Sequence, residues 1–139
     1  MLGHGSDARQ PRVKRGLREL PSRYAIVRLP ADEGWPWWAT WSDLAALVRA
    51  PDECTVICTE RLVPGDVPAE RGYVAFVVDG PIPFDEVGVL AGLAAPLALA
   101  GISVFVTSTW TTDYLMVRAT MAASAVEAWR SAGHVVATA

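Results

Sequence analysis

The chain has 139 residues, of which 52% are hydrophobic and 19% charged, with a mean hydropathy of +0.26. That composition excludes disorder over most of the length, which needs low hydrophobicity and high charge. No apolar run reaches the ~18 residues that a bilayer demands, because Gly88, Gly92, Pro96 and Gly101 break the richest stretch, Val87 to Val106.

The first residues show no apolar signal region, and Cys54 and Cys58 are too few for a disulfide framework. A soluble, reduced, cytoplasmic protein is expected, with no membrane partner. The net charge of −3 is unevenly spread. Residues 1–30 hold seven bases and two acids, whereas residues 31–139 hold five bases and thirteen acids. A basic arm can touch nucleic acid. This one lacks interleaved aromatics and any recognisable DNA-binding helix pair, so nucleic acid is not the favoured partner. Residues 1–16 read as a flexible basic tail.

Order is expected from Leu17. Tyr24 to Leu29 is a β-rich run stopped by Pro30. A loop follows over Ala31 to Pro36. Thr40 or Ser42 is then a candidate cap for a helix to Arg49, ended by Pro51. Cys54 to Thr59 reads as a strand. Pro64-Gly65-Asp66-Val67-Pro68 is turn material and marks a boundary, dividing the chain into units 17–66 and 67–139.

The second unit opens with a strand, Tyr73 to Val78, ended by Asp79-Gly80-Pro81. A helix is predicted over Val87 to Leu99, where Val89, Leu90, Leu93, Leu97 and Ala100 fall at helical spacing. Pro96 conflicts with that helix, because it removes an N–H and should kink or restart it. Gly101 fits the residue just past a helix end. Ile102 to Thr107 reads as a strand, Ser108 to Thr112 as a polar turn and Tyr114 to Arg118 as a strand. A helix over Met121 to Ala132 stops at Gly133, before a last strand, His134 to Val136. The order is β-α-β, then β-α-β-β-α-β. It predicts an α+β fold with antiparallel strands and helices on one face.

Two stretches go beyond pattern: Pro81-Ile82-Pro83-Phe84-Asp85-Glu86-Val87-Gly88-Val89-Leu90-Ala91, and Leu97 to Val117 with its Gly101-Ile102-Ser103, Ser108-Thr109 and Thr112-Asp113-Tyr114. Together they resemble the ACT domain, a small amino-acid-binding regulatory module of ferredoxin-like fold. The branch they resemble is that of the CASTOR arginine sensors and small bacterial proteins related to them. The resemblance is strong from Tyr73 to Val136 and weaker over Leu17 to Thr59. It implies two ACT-like halves, the first abbreviated.

It also implies a ligand at an interface between ACT units. The turn Phe84 to Gly88 would face Ile102-Ser103-Val104 across that interface. By the resemblance, Glu86 is an acidic ligand contact and Ser103 and Val104 are backbone contacts. Thr109 and Trp110 line the pocket, and Asp113 faces a cationic side chain. Physical chemistry supports such a site, since a helix start offers N–H groups to a carboxylate. Val87 and Gly88 belong to that turn, and Gly88 lets a ligand approach the backbone. Pro83 has no N–H to offer.

Structural roles stand beside each assignment. Asp113 suits the turn before Tyr114. Glu86 suits a first helical turn, and Trp110 suits a surface or a dimer interface. Trp35, Trp37, Trp38 and Trp41 read as large aromatics covering the sheet or an interface rather than as an aromatic cage.

Enzyme chemistry has little support. Cys54 and Cys58 would lie ~13 Å apart on a strand, too far to share a metal. Asp85 and Glu86 are adjacent and point apart. There is no Gly-rich phosphate loop, and the only histidines are His4 and His134. No catalytic residue, metal or cofactor is expected. The expected function is non-catalytic binding of a free amino acid at an interface between ACT units, either within the chain or across a homodimer, and a homodimer is the expected assembly. Glu86 and Asp113 favour a basic ligand such as arginine. The alternative is a ligand-independent dimerisation or docking module for a partner enzyme or regulator.

Overall fold

The computed structural model describes residues 14–139. Most of the expected tail, with Arg9 and Arg12, lies outside the described residues. Seven strands form one sheet: β1 (Gly16–Leu29), β2 (Ala46–Ala50), β3 (Glu53–Thr59), β4 (Ala69–Val78), β5 (Phe105–Ser108), β6 (Asp113–Arg118) and β7 (Val135–Ala137). Two helices, α1 (Val89–Leu99) and α2 (Ala122–Ser131), complete an α+β fold of the ferredoxin-like kind. The strand order is β2-β3-β1-β4-β6-β5. All neighbours in it are antiparallel. β7 lies parallel to β1 over Gly16–Arg18, beside the stretch that pairs with β3.

The two halves share one pairing scheme. β4 pairs with β6, and β6 with β5, just as β1 pairs with β3, and β3 with β2. They differ in the connection after the first strand. In the second half it is α1. In the first half a helix over residues 40–49 was expected, and the structure has none. A single 3-10 turn, Trp37–Ala39, is followed by the strand β2. The alanine-rich window has helical propensity, but its backbone groups pair with β3 from Ala46↔Ile57 to Ala50↔Glu53. Tertiary pairing outweighs a weak local preference.

β1 also departs from expectation. It starts at Gly16 rather than Tyr24 and runs through Pro21. The missing proline N–H is accommodated by a break in register with β4 between Glu19 and Arg23. β5 is shorter than expected, because Ile102, Ser103 and Val104 precede it without strand pairing.

Alternation along the strands sorts side chains to two faces. Val74, Phe76 and Val78 of β4 and Leu115 and Val117 of β6 face the helices. There they pack with Leu93 and Leu97 of α1 and Trp129 of α2. The Trp129 ring meets Phe76 edge-on at 5.0 Å, and its Nε1–H donates to Leu93 O at 2.8 Å. In the helix-free first half, Trp38 covers Ala25, Val27, Val56 and Cys58. A third cluster joins Tyr24, Leu44, Ile57, Ala75 and Met116.

Pro96 does lie inside α1. Its missing N–H would have served Gly92 O, four residues back. The His134 ring takes its place. His134 Nδ1 accepts the Arg15 N–H at 3.0 Å, so the proton sits on Nε2, which donates to Gly92 O at 3.3 Å. The helix end follows the expected form. Gly101 has φ 73°, its N–H bonds Ala98 O, and the Ile102 N–H bonds Leu97 O at 2.8 Å. α2 closes in the same way at Gly133.

Candidate functional site

The β4–α1 connection and the β5–β6 turn lean against each other. The Ile82 N–H donates to Thr111 O at 2.7 Å, and the Thr112 hydroxyl donates to Val78 O. The turn is braced internally, since Thr109 N–H and Oγ1 both donate to Thr112 O. Between the two segments lies an open cavity of about 380 Å³. Pro83, Glu86, Gly88, Thr109, Trp110 and Asp113, all candidate ligand contacts by the resemblance, line it.

Val87 and the segment Ile102-Ser103-Val104 do not line it. Val87 is exposed beside it. Ile102 is buried, Ser103 exposed and Val104 half-buried, all at the far end of α1. Within one chain these three cannot reach the cavity. They lead into β5, an edge strand among the described residues, near the exposed Leu99 and Phe105.

The cavity also has walls that the sequence analysis did not assign to the site. Leu90 and Ala91 come from the first turn of α1, and Ser108 and Thr112 from the turn. Phe84 meets Trp110 edge-on at 5.0 Å, both rings largely exposed, and this pair forms a rim. A Ser-Thr-rich turn next to a Phe was the available signal for these residues. Their pairing across 26 positions was not visible locally.

The electrostatics of the cavity are specific. Gly88 begins α1 with φ 90°, and no side chain among the described residues caps the helix. A first helical turn leaves its N–H groups without intrahelical acceptors. Here Gly92 makes the first such bond, to Gly88 O, so the N–H groups of Val89, Leu90 and Ala91 stand at the cavity. That end of a helix favours an anion.

Two carboxylates lie nearby. Asp113 accepts the Ser108 hydroxyl at 2.7 Å. Glu86 forms an ion pair with Arg15. Arg15 belongs to the segment that the sequence placed in the tail. Lys14 Nζ bonds Ala132 O at 3.0 Å, and the Asp79 N–H bonds Gly16 O at 2.8 Å. The site thus offers donors for a carboxylate, one carboxylate whose partner among the described residues is a hydroxyl, and an aromatic rim. Among the described residues, no group of three or more His, Cys, Asp or Glu could hold a metal ion. No helix among them is long and apolar enough to cross a membrane.

The fold is of the ACT, ferredoxin-like kind, with a strand-to-helix cavity at the start of α1. Residues 69–131, from the start of β4 to the end of α2, match the ACT domain. Among solved structures, a protein of Agobacterium tumefaciens is 32% identical, with TM-score 0.86 over 91% of this chain and 95% of its own. The chain belongs to one family with that protein, and its second half is an ACT domain. A Vibrio cholerae protein of unknown function is 18% identical, with TM-score 0.70 over 86% of this chain and 90% of its own. The regulatory subunit of aspartate kinase from Thermus thermophilus is 13% identical, with TM-score 0.56 over 81% and 93%. The last two share the fold. No curated protein matches the chain.

Proposed function

We propose that this protein is a non-catalytic regulatory module that binds a free amino acid at the α1 end of its ACT domain. The observation that carries the reading is the uncapped start of α1 opening into the same cavity as Asp113. An amino acid brings a carboxylate and an ammonium. The Val89–Ala91 N–H groups suit the first, and Asp113 suits a cation. Because Glu86 is paired with Arg15, Asp113 is the stronger anchor for a basic ligand such as arginine, as in the CASTOR-like branch.

The site is completed by a homodimer. A second copy brings Ile102-Ser103-Val104 to the open cavity, with the apolar Leu99, the alanines of α1 and the β5 edge as the contact face. The Thermus thermophilus match, a regulatory subunit of an amino-acid kinase, fits this reading. A bound ligand that holds the two copies in one arrangement shifts the equilibrium between arrangements, which is a signal.

Isothermal titration with L-arginine and L-lysine tests the assignment. Asp113→Asn should weaken binding by ~10-fold or more, as expected for a charge-assisted contact of about 1.5–3 kcal/mol. Equal binding by the variant would remove Asp113 from the site. A protein that ignores all twenty amino acids would instead favour the docking-module reading.

A further inference from the structure

The first half carries a surface that the amino-acid site does not use. The loop from Pro30 to Ala45 runs where the second half has α1. Of its four tryptophans only Trp38 turns inward, onto Val56 and Cys58. Trp37 and Trp41 are each 79% exposed and Trp35 is 46% exposed. Single exposed apolar residues are ordinary. Three tryptophans within seven positions concentrate large exposed apolar side chains on one loop, the kind of feature that marks an interaction surface.

The patch has a charged border. Arg49 Nε and Nη2 donate to Ala31 O and Glu33 O, which pins the start of the loop beside the β2–β3 hairpin. That contact brings Asp32 and Glu33 close to Asp52 and Glu53 at the hairpin tip, all four exposed. A cavity of about 530 Å³ opens at the same end. It is lined by Pro30 and Ala31 of the loop, with Asp52 and Asp66 against a single guanidinium, Arg28. Arg49, the one base of residues 31–60, is turned onto backbone carbonyls. Beside the loop, β2 is an edge strand with its outer hydrogen-bonding side free among the described residues and Val48 exposed.

We infer that this edge docks an extended, arginine-rich segment of a partner protein. Tryptophan is the strongest aromatic partner for a guanidinium. The carboxylates supply complementary charge and discriminate against acidic segments. A free strand edge accepts an extended backbone. The free edge of β2 runs from Ala46 to Ala50, five residues, or about 17 Å, enough for a short peptide. A second copy of this chain fits less well, because two such acidic borders repel. The patch also lies at the opposite sheet edge from β5, so a dimer built on α1 and β5 leaves it open.

The probe is a fluorescein-labelled decapeptide alternating arginine and glycine, with a glutamate–glycine peptide as control. Fluorescence anisotropy at low salt should show binding of the first and not of the second. Trp37→Ala combined with Trp41→Ala should weaken it by at least ~10-fold. Asp52→Asn combined with Asp66→Asn should also weaken it, and added salt should do the same. All four positions are exposed, so the variants keep the fold, which circular dichroism checks. Absence of binding, equal binding of the glutamate peptide, or unchanged affinity of the tryptophan variant would each overturn the proposal. A changed sedimentation mass in the tryptophan variant would assign the patch to a second copy and overturn it as well. None of these outcomes depends on an amino-acid ligand.

Discussion

Replacing His134 with alanine should destabilise the protein by about 2–4 kcal/mol, and Pro96→Ala should relieve part of that loss. The ring is buried and makes two hydrogen bonds, accepting from Arg15 N–H and donating to Gly92 O. Each bond contributes about 1 kcal/mol, and a donor left unpaired away from water costs about 1–3 kcal/mol. The Gly92 oxygen needs the ring only because Pro96 has no N–H. With alanine at 96, the helix supplies its own donor. His134→Ala in that background then strands only the Arg15 N–H, so its cost should fall by about 1 kcal/mol. Urea unfolding of the four proteins in a double-mutant cycle reads this coupling directly. Additivity within about 0.3 kcal/mol would refute the claim that His134 stands in for the proline's missing donor.

Three further outcomes follow from the same geometry. Pro96→Ala alone should stabilise the chain by about 1–3 kcal/mol, because proline in a helix interior costs about 3 kcal/mol relative to alanine; a loss of stability in urea would contradict this. Trp129→Ala should cost about 3–5 kcal/mol, since it empties the space between Phe76 and α1 and removes the bond to Leu93 O; a loss below about 1 kcal/mol would mean that the helices are not tied there. Burial pushes the Cys58 thiol from 9.0 up to about 11. The unfolded chain therefore loses that proton first, and stability present below pH 9 should fall by about 2–3 kcal/mol as pH rises to 11. Cys58→Ala should flatten that part of the profile, and an unchanged slope would assign it to other groups.

Much of the second half was legible in the sequence because its signals are local. Tyr73–Val78 is an unbroken β-rich run, and the glycines at 101 and 133 stop helices for a steric reason that needs no context. The site roles expected of Glu86, Thr109, Trp110 and Asp113 came with the ACT resemblance rather than from the residues one by one. What escaped depends on distant partners. β1 reaches back to Gly16 because β4 and β7 flank it, although Arg18, Glu19 and Pro21 look like loop. Ala46–Ala50 is a strand because β3 pairs with it. The Arg15–Glu86 ion pair joins positions too far apart for any pattern to register. Phe84 finds Trp110 only once the two turns close on each other.

The central claim is that an amino acid's carboxylate binds the uncapped start of α1 beside Asp113. Amide chemical shifts, followed by nuclear magnetic resonance during titration with L-arginine, L-lysine and then the remaining amino acids in pools, test it at the atoms concerned. The account predicts saturable shifts centred on Val89, Leu90 and Ala91 and on the Ser108–Asp113 turn, lost in Asp113→Asn for a basic ligand. Shifts confined to other regions, or none at saturating concentration, would contradict it.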